Sequence, residues 1–181
     1  QTINSTTTAP EADTDTDGDQ LYLGVGNDGS AGQWAGYISN VRYVRGTDIY
    51  GVSNTSITVP TSPPTAVTNT NFLTTFTNAG IIDHTMKNNL ETENNTRISG
   101  QQTKFGTGSI YLDGTGDYLT LPDSDDWYFG SDNFTWEAWV KPISNVESGF
   151  SLFYQPSGGN AYSQFFYSHS SGILYFVHNN G

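Results

Sequence analysis

The stretch Phe134-Thr135-Trp136-Glu137-Ala138-Trp139-Val140 decides the fold class. Phe134, Trp136, Ala138 and Val140 fall on one face and Thr135, Glu137 and Trp139 on the other, the period of two expected of a strand with one side against a core. Working outward, Asp117–Leu121, Ser109–Leu112, Gly36–Val44 and Leu21–Val25 are short, aromatic or β-branched, and bounded by Gly, Asp or Asn. Phe150–Tyr154, Tyr162–Tyr167 and Ile173–His178 continue the pattern. Asp83–Glu93 is the one stretch that could hold a helix, and Asn88, Asn89 and Thr92 leave it without an apolar stripe. About eight to eleven short strands separated by turns predict an all-β chain, an antiparallel β-sandwich or jelly roll.

Composition supports an aromatic core. The 181 residues are 34% hydrophobic but 14% aromatic, with 11 Tyr, 10 Phe and 4 Trp, too rich for a disordered chain. Only 13% are charged, and 18 acidic against 6 basic side chains give a net charge of -12. Arg42, Arg45, Lys87, Arg97, Lys104 and Lys141 are spread thinly, so no cluster is expected to hold a nucleic acid backbone or an anionic lipid surface. No apolar run reaches the roughly 18 to 20 residues that span a bilayer, so membrane insertion is not expected. The absence of cysteine removes disulfides, thiolate catalysis and Cys-ligated zinc and leaves the compartment open. Gln1–Thr8 has neither a basic nor an apolar leader region and no initiator Met, which reads as a processed product or a fragment.

Four segments are expected. Residues 1–20, rich in Thr and Asp, read as a polar acidic arm or loop. Residues 21–59 hold the first strands. Residues 60–65, with Pro60, Pro63 and Pro64, read as an extended connector, and residues 66–181 hold the remaining strands.

Lys104–Asp126, with Lys104-Phe105-Gly106-Thr107-Gly108 and Thr115-Gly116-Asp117-Tyr118-Leu119-Thr120-Leu121-Pro122-Asp123-Ser124-Asp125-Asp126, followed by Phe134–Pro142, resembles the opening half of a concanavalin A-like, laminin-G-like jelly roll domain. Leu21-Tyr22-Leu23-Gly24 with Trp34–Gly46 is similar to the closing strands of the same family. The closing half thus precedes the opening half. Two arrangements fit that order: a window across two tandem domains, which is favoured, or a permuted single sandwich. A half sandwich alone would expose long edges and a bare apolar face, so the tandem arrangement requires strands from elsewhere in the polypeptide or from a neighbouring copy. The resemblance implies carbohydrate binding or adhesion more often than catalysis, in tail, fibre or surface proteins of phages and bacteria.

Asp13-Thr14-Asp15-Thr16-Asp17-Gly18-Asp19 places alternate carboxylates around a Gly turn. It reads either as a solvated acidic loop or as a calcium loop in which Asp13, Asp15, Asp17 and Asp19 supply oxygen ligands. It is not an EF-hand, because the twelfth position is Gly24. Asp113 and Asp117 read as turn residues around Gly114 and Gly116, whereas Asp123, Asp125 and Asp126 with Trp127 and Tyr128 form a candidate ligand-binding rim. Aromatic rings that stack on sugars, with Asn and Asp to fix hydroxyls, make Tyr154, Tyr162, Phe165, Phe166 and Tyr167 further candidates, most of them competing with a core role. The Glu-x-Asp-x-x-Glu strand of glucanases with this fold does not occur, Glu91 and Glu93 sit in a polar Asn-rich segment, and His84, His169 and His178 lack nucleophile or metal-ligand spacing. No catalytic residues are therefore assigned. The expected function is a noncatalytic structural and adhesive module of a virion or cell surface. Its partners would be a polysaccharide or glycan and neighbouring copies. The alternative is a purely architectural fibre or capsid repeat that binds no sugar.

Overall fold

The computed structural model describes residues 20–26, 31–51, 54, 56–76, 80–127, 132–143, 149–156, 161–168 and 170–180. The strands are β1 Leu21–Leu23, β2 Ala35–Arg45, β3 Thr70–Thr74, β4 Glu91–Glu93, β5 Arg97–Ser99, β6 Ser109–Asp113, β7 Tyr118–Leu121, β8 Phe134–Pro142, β9 Phe150–Pro156, β10 Ala161–Ser168 and β11 Ile173–Asn180. No helix occurs among the described residues. A six-stranded sheet runs β11-β10-β9-β1-β7-β4 and a second sheet runs β3-β2-β6-β5, with β8 also paired to β2. Every pairing is antiparallel. The chain is all-β, with two antiparallel sheets packed as a sandwich.

Each sheet joins one strand from before the proline connector, β1 or β2, to strands from after it. β1 lies between β7 and β9, with Leu21 opposite Leu121, Leu23 opposite Leu119 and Tyr22 opposite Tyr154. Gly36 of β2 faces both Leu112 of β6 and Pro142 of β8, so those strands take opposite edges of β2. Arg42 faces both Leu73 of β3 and Glu137 of β8, which puts β3 beyond β6 on the same edge. The connector itself carries no strand, and the Thr65 carbonyl accepts a 2.8 Å hydrogen bond from Arg42 Nη1.

Strand β2 changes phase in its middle. Ile38 is buried in the core, as are Val41 and Tyr43, a spacing of three where a regular strand gives two. The register with β8 slips between Ser39 and Arg42, and Asn40 adopts a positive φ of 54° there, a conformation that Asn tolerates better than most residues. This bulge keeps apolar side chains inward in both halves of an 11-residue strand. It also turns Arg42 outward, opposite Glu137.

The core is a column of rings joining the sheets. Tyr43 stacks on Trp136 at 4.1 Å, and Trp136 packs on Phe153 of the facing sheet at 4.4 Å. Trp34 meets Phe150 edge to face at 5.0 Å. Burial pushes the Tyr43 hydroxyl well above the usual phenol range.

The turn residues behave as their chemistry predicts. Gly114 and Gly116 have φ of 86° and 78°, and a Cβ on Gly114 would come within 2.7 Å of the Ala35 side chain. Asp113 accepts from the Thr115 amide at 2.7 Å, while the fully buried Asp117 accepts from the amides of Asn95 and Asp113. These carboxylates close the β6–β7 turn. Asp83–Glu93 forms a knot of turns and β4 in place of a helix. The carboxylate of Asp83, 3% exposed, accepts bonds from the amides of Leu73, Thr85 and Asn88 and from the side chains of Thr85 and Asn88. That pins the loop to β3.

Candidate functional site

The acidic rim is partly built into the fold. Trp127 is fully buried, its Nε1 donates to the Pro122 carbonyl at 2.9 Å, and its ring packs against Tyr43 and Phe72. It is a core side chain with no face turned to solvent. Asp126 accepts from Asn71 Nδ2 at 2.7 Å and its amide bonds Ser124 Oγ, while Asp123 and Asp125 are exposed. Arg45 crosses this rim, with Nη1 on the Asp125 carbonyl and Nε 3.5 Å from Asp132. Tyr128 lies outside the described residues, as do Asp13, Asp15, Asp17 and Asp19. Among the described residues no group of three or more His, Asp or Glu could hold a metal ion.

Among the described residues, which do not include His169, the histidines and glutamates fall into separate surroundings. Glu91 and Glu93 share the edge strand β4, and His84 Nε2 lies 3.1 Å from Thr75 Oγ1. Ser163 and His178, 15 positions apart in sequence, meet across β10 and β11 with Oγ 2.9 Å from Nδ1. Ser163 borders a cleft of about 10 Å³ that Leu21, Trp136, Phe153, Gln155, Phe165 and Phe176 also line. That volume suits a single water.

The outer face of the five-stranded sheet carries a largely buried ion pair and a set of exposed cations. At one end Arg42 and Glu137, opposite each other on β2 and β8, form an ion pair with side chains 7% and 16% exposed. Tyr50 covers it and donates its hydroxyl proton to Glu137 Oε2. Burial, together with that bond, pushes the Tyr50 hydroxyl up to about 12. Further along, Tyr37 packs on Tyr111 at 5.3 Å and donates its hydroxyl to Gln101 Oε1 at 3.0 Å. Arg97 lies over the Tyr111 ring at 4.3 Å, and Lys104 lies over Trp139 at 4.3 Å, with Phe105 edge-on to the same ring at 5.7 Å. Lys141, opposite Tyr37, donates to Gln102. Arg97, Lys104 and Lys141 are exposed, and among the described residues none has a carboxylate within ion-pair distance.

The other outer face has the opposite character. The strands of the six-stranded sheet contain no Lys or Arg, and their charged residues are Glu91 and Glu93. Beside them runs a row of tyrosines, one from each of four adjacent strands. Tyr118 is 6.0 Å from Tyr22, Tyr22 is 6.2 Å from Tyr154, and Tyr154 is 5.5 Å from Tyr162. Leu21, Leu23, Leu119, Leu121 and Phe153 point the other way into the core, so this row lies on the opposite side of the same strands, with Tyr118, Tyr22 and Tyr162 half-buried and Tyr154 buried at 7% exposure.

No family model, curated protein or solved structure matches this chain.

All six cations belong to the five-stranded side. Arg42 and Arg45 are on β2, Arg97 on β5 and Lys141 on β8. Lys104 lies over Trp139 of β8, and Lys87 Nζ donates to the Thr70 carbonyl of β3 at 3.1 Å. Residues thinly spread in sequence are therefore gathered on one sheet, which the linear reading of the charges did not anticipate. The signal that could have found them was the alternation of β8, which puts Glu137, Trp139 and Lys141 on one face.

Proposed function

We propose that the chain is a noncatalytic structural and adhesive module of a virion or cell surface, built as a laminin-G-like, concanavalin A-like jelly roll. It meets its partners through flat sheet faces. The observation that carries this reading is the segregation of charge: a cationic aromatic face on one sheet and an acidic tyrosine face on the other. Sheet faces suit a macromolecular partner better than a small substrate, which needs a concave pocket. Sedimentation velocity on the full chain at about 0.1 M salt, where the repulsion between copies is screened beyond roughly 10 Å, tests it. Mass is expected to rise with concentration; a single-copy mass up to the solubility limit would count against the architectural role.

The tyrosine row favours a second reading. The half-buried Tyr118, Tyr22 and Tyr162, with Thr120 and Gln164 among them, combine ring surface with uncharged hydrogen-bonding groups, the chemistry that holds a hydroxyl-rich polysaccharide. A glycan array probed with the full chain separates the two readings, because sugar recognition by the tyrosines requires no second copy.

A further inference from the structure

We propose that copies of this chain associate head to tail, the cationic aromatic face of one copy seated on the acidic tyrosine face of the next. The inference rests on the architectural reading above and names its partner and its two contact surfaces.

Charge decides which faces can meet. Each copy carries a net charge of -12, so contacts between copies taken at random bring carboxylates together. Beyond roughly 10 Å that repulsion is screened at about 0.1 M salt, and the local pattern governs the contact. Two cationic faces would oppose Arg97, Lys104 and Lys141 to their own copies, and two tyrosine faces would oppose Glu91 and Glu93 to theirs. Like charges set against each other across an interface are strongly disfavoured. The pairing of unlike faces is the one that satisfies both.

The cations are prepared for such a contact. Arg97 over Tyr111 and Lys104 over Trp139 are held at defined positions by ring faces, and neither has a carboxylate among the described residues. A partner that supplies carboxylates therefore breaks no ion pair seen in the structure. Glu91 and Glu93 stand on β4 opposite Thr120 and Tyr118, so the acids adjoin rings that can pack against Tyr111 and Trp139. Asp113, at the end of the cationic face, is turned to the Thr115 amide.

The two faces lie on opposite sides of the sandwich, one on each sheet. A contact between them is heterologous, and where its rotation does not close a ring it propagates as an open array. That distinguishes it from a two-fold dimer, in which the same patch meets itself.

Two exposed-surface variants test this. In R97Q/K104Q the cationic face is weakened and the acidic face is intact; in E91Q/E93Q the reverse holds. Each variant alone is expected to associate at least about tenfold more weakly than the wild-type chain, with its near-ultraviolet circular dichroism unchanged. Mixed in equal amounts, they should form a complex of two copies and nothing longer, since each supplies the one face the other lacks. Wild-type association in both variants would overturn the assignment of faces while leaving the architectural reading standing. Failure of the mixture to form the two-copy complex would overturn the head-to-tail geometry. A chain that stays monomeric but binds polygalacturonate or single-stranded oligonucleotide through Arg97 and Lys104 would overturn the proposal together with the reading beneath it.

Discussion

Trp127→Ala is expected to lower the free energy of unfolding by about 3–5 kcal/mol, the range for deleting a large aromatic side chain from a packed core. The indole is fully buried between Tyr43 and Phe72, and its Nε1 bond to Pro122 ties the Asp123–Asp126 turn to the sheet. Truncation removes both the packing and the anchor. Urea denaturation followed by far-ultraviolet circular dichroism measures the loss, as a lower midpoint at unchanged slope. A tryptophan displayed for ligand stacking would behave otherwise, losing binding while stability stayed within about 0.5 kcal/mol, the usual range for surface substitutions. That result would return Trp127 to the binding rim its sequence neighbourhood suggests.

The next largest effect is expected at the covered ion pair. Arg42→Met should cost about 3 kcal/mol, because it strands the Glu137 carboxylate under Tyr50 with its cation gone. It also removes the bond from Arg42 Nη1 to Thr65, freeing the connector from β2. The double variant R42M/E137L should recover most of that loss, since a buried pair exchanged for apolar side chains of similar volume is often neutral. The comparison is made by urea denaturation at neutral pH. Equal stability of Arg42→Met and the wild-type chain would mean that the pair is solvated and that Tyr50 and Thr65 do not cover it.

Much of this architecture is legible in the sequence where one face of a strand is buried. The alternation of Phe134, Trp136, Ala138 and Val140 predicts which side of β8 meets the core, and those four side chains do pack against it. Asp113 and Asp117 are legible as turn residues because the Gly-Thr-Gly between them leaves the local backbone few alternatives. Strand β2 is harder. Its phase change depends on a bulge at Asn40, and nothing in Ile38-Ser39-Asn40-Val41 announces that the period will slip. Asp83 shows the same limit, since its role is made by five hydrogen bonds, one from Leu73 of β3 and four from Thr85 and Asn88 of its own loop, and none of them is local alternation.

The candidate surfaces were the least legible. Arg97, Lys104 and Lys141 are brought to one face by the order β5-β6-β2-β8, so their convergence is a property of tertiary register. Trp127 misleads for a local reason. Its acidic neighbours suggest an exposed rim, while the partner that lets the indole be buried is a backbone carbonyl five residues earlier.

The two sheets and both of their outer faces require strands β1 and β2 to share their sheets with β6, β7, β8 and β9 of the same chain. Isotope-filtered nuclear Overhauser spectroscopy on a mixture of labelled and unlabelled chain tests that directly. Cross-strand contacts of Leu23 with Leu119, and of Ile38 with Val140, are predicted within single copies. If those contacts are absent, or appear only between labelled and unlabelled copies, residues 21–45 belong to a different sandwich from residues 109–156, and the two faces described here do not exist on one module.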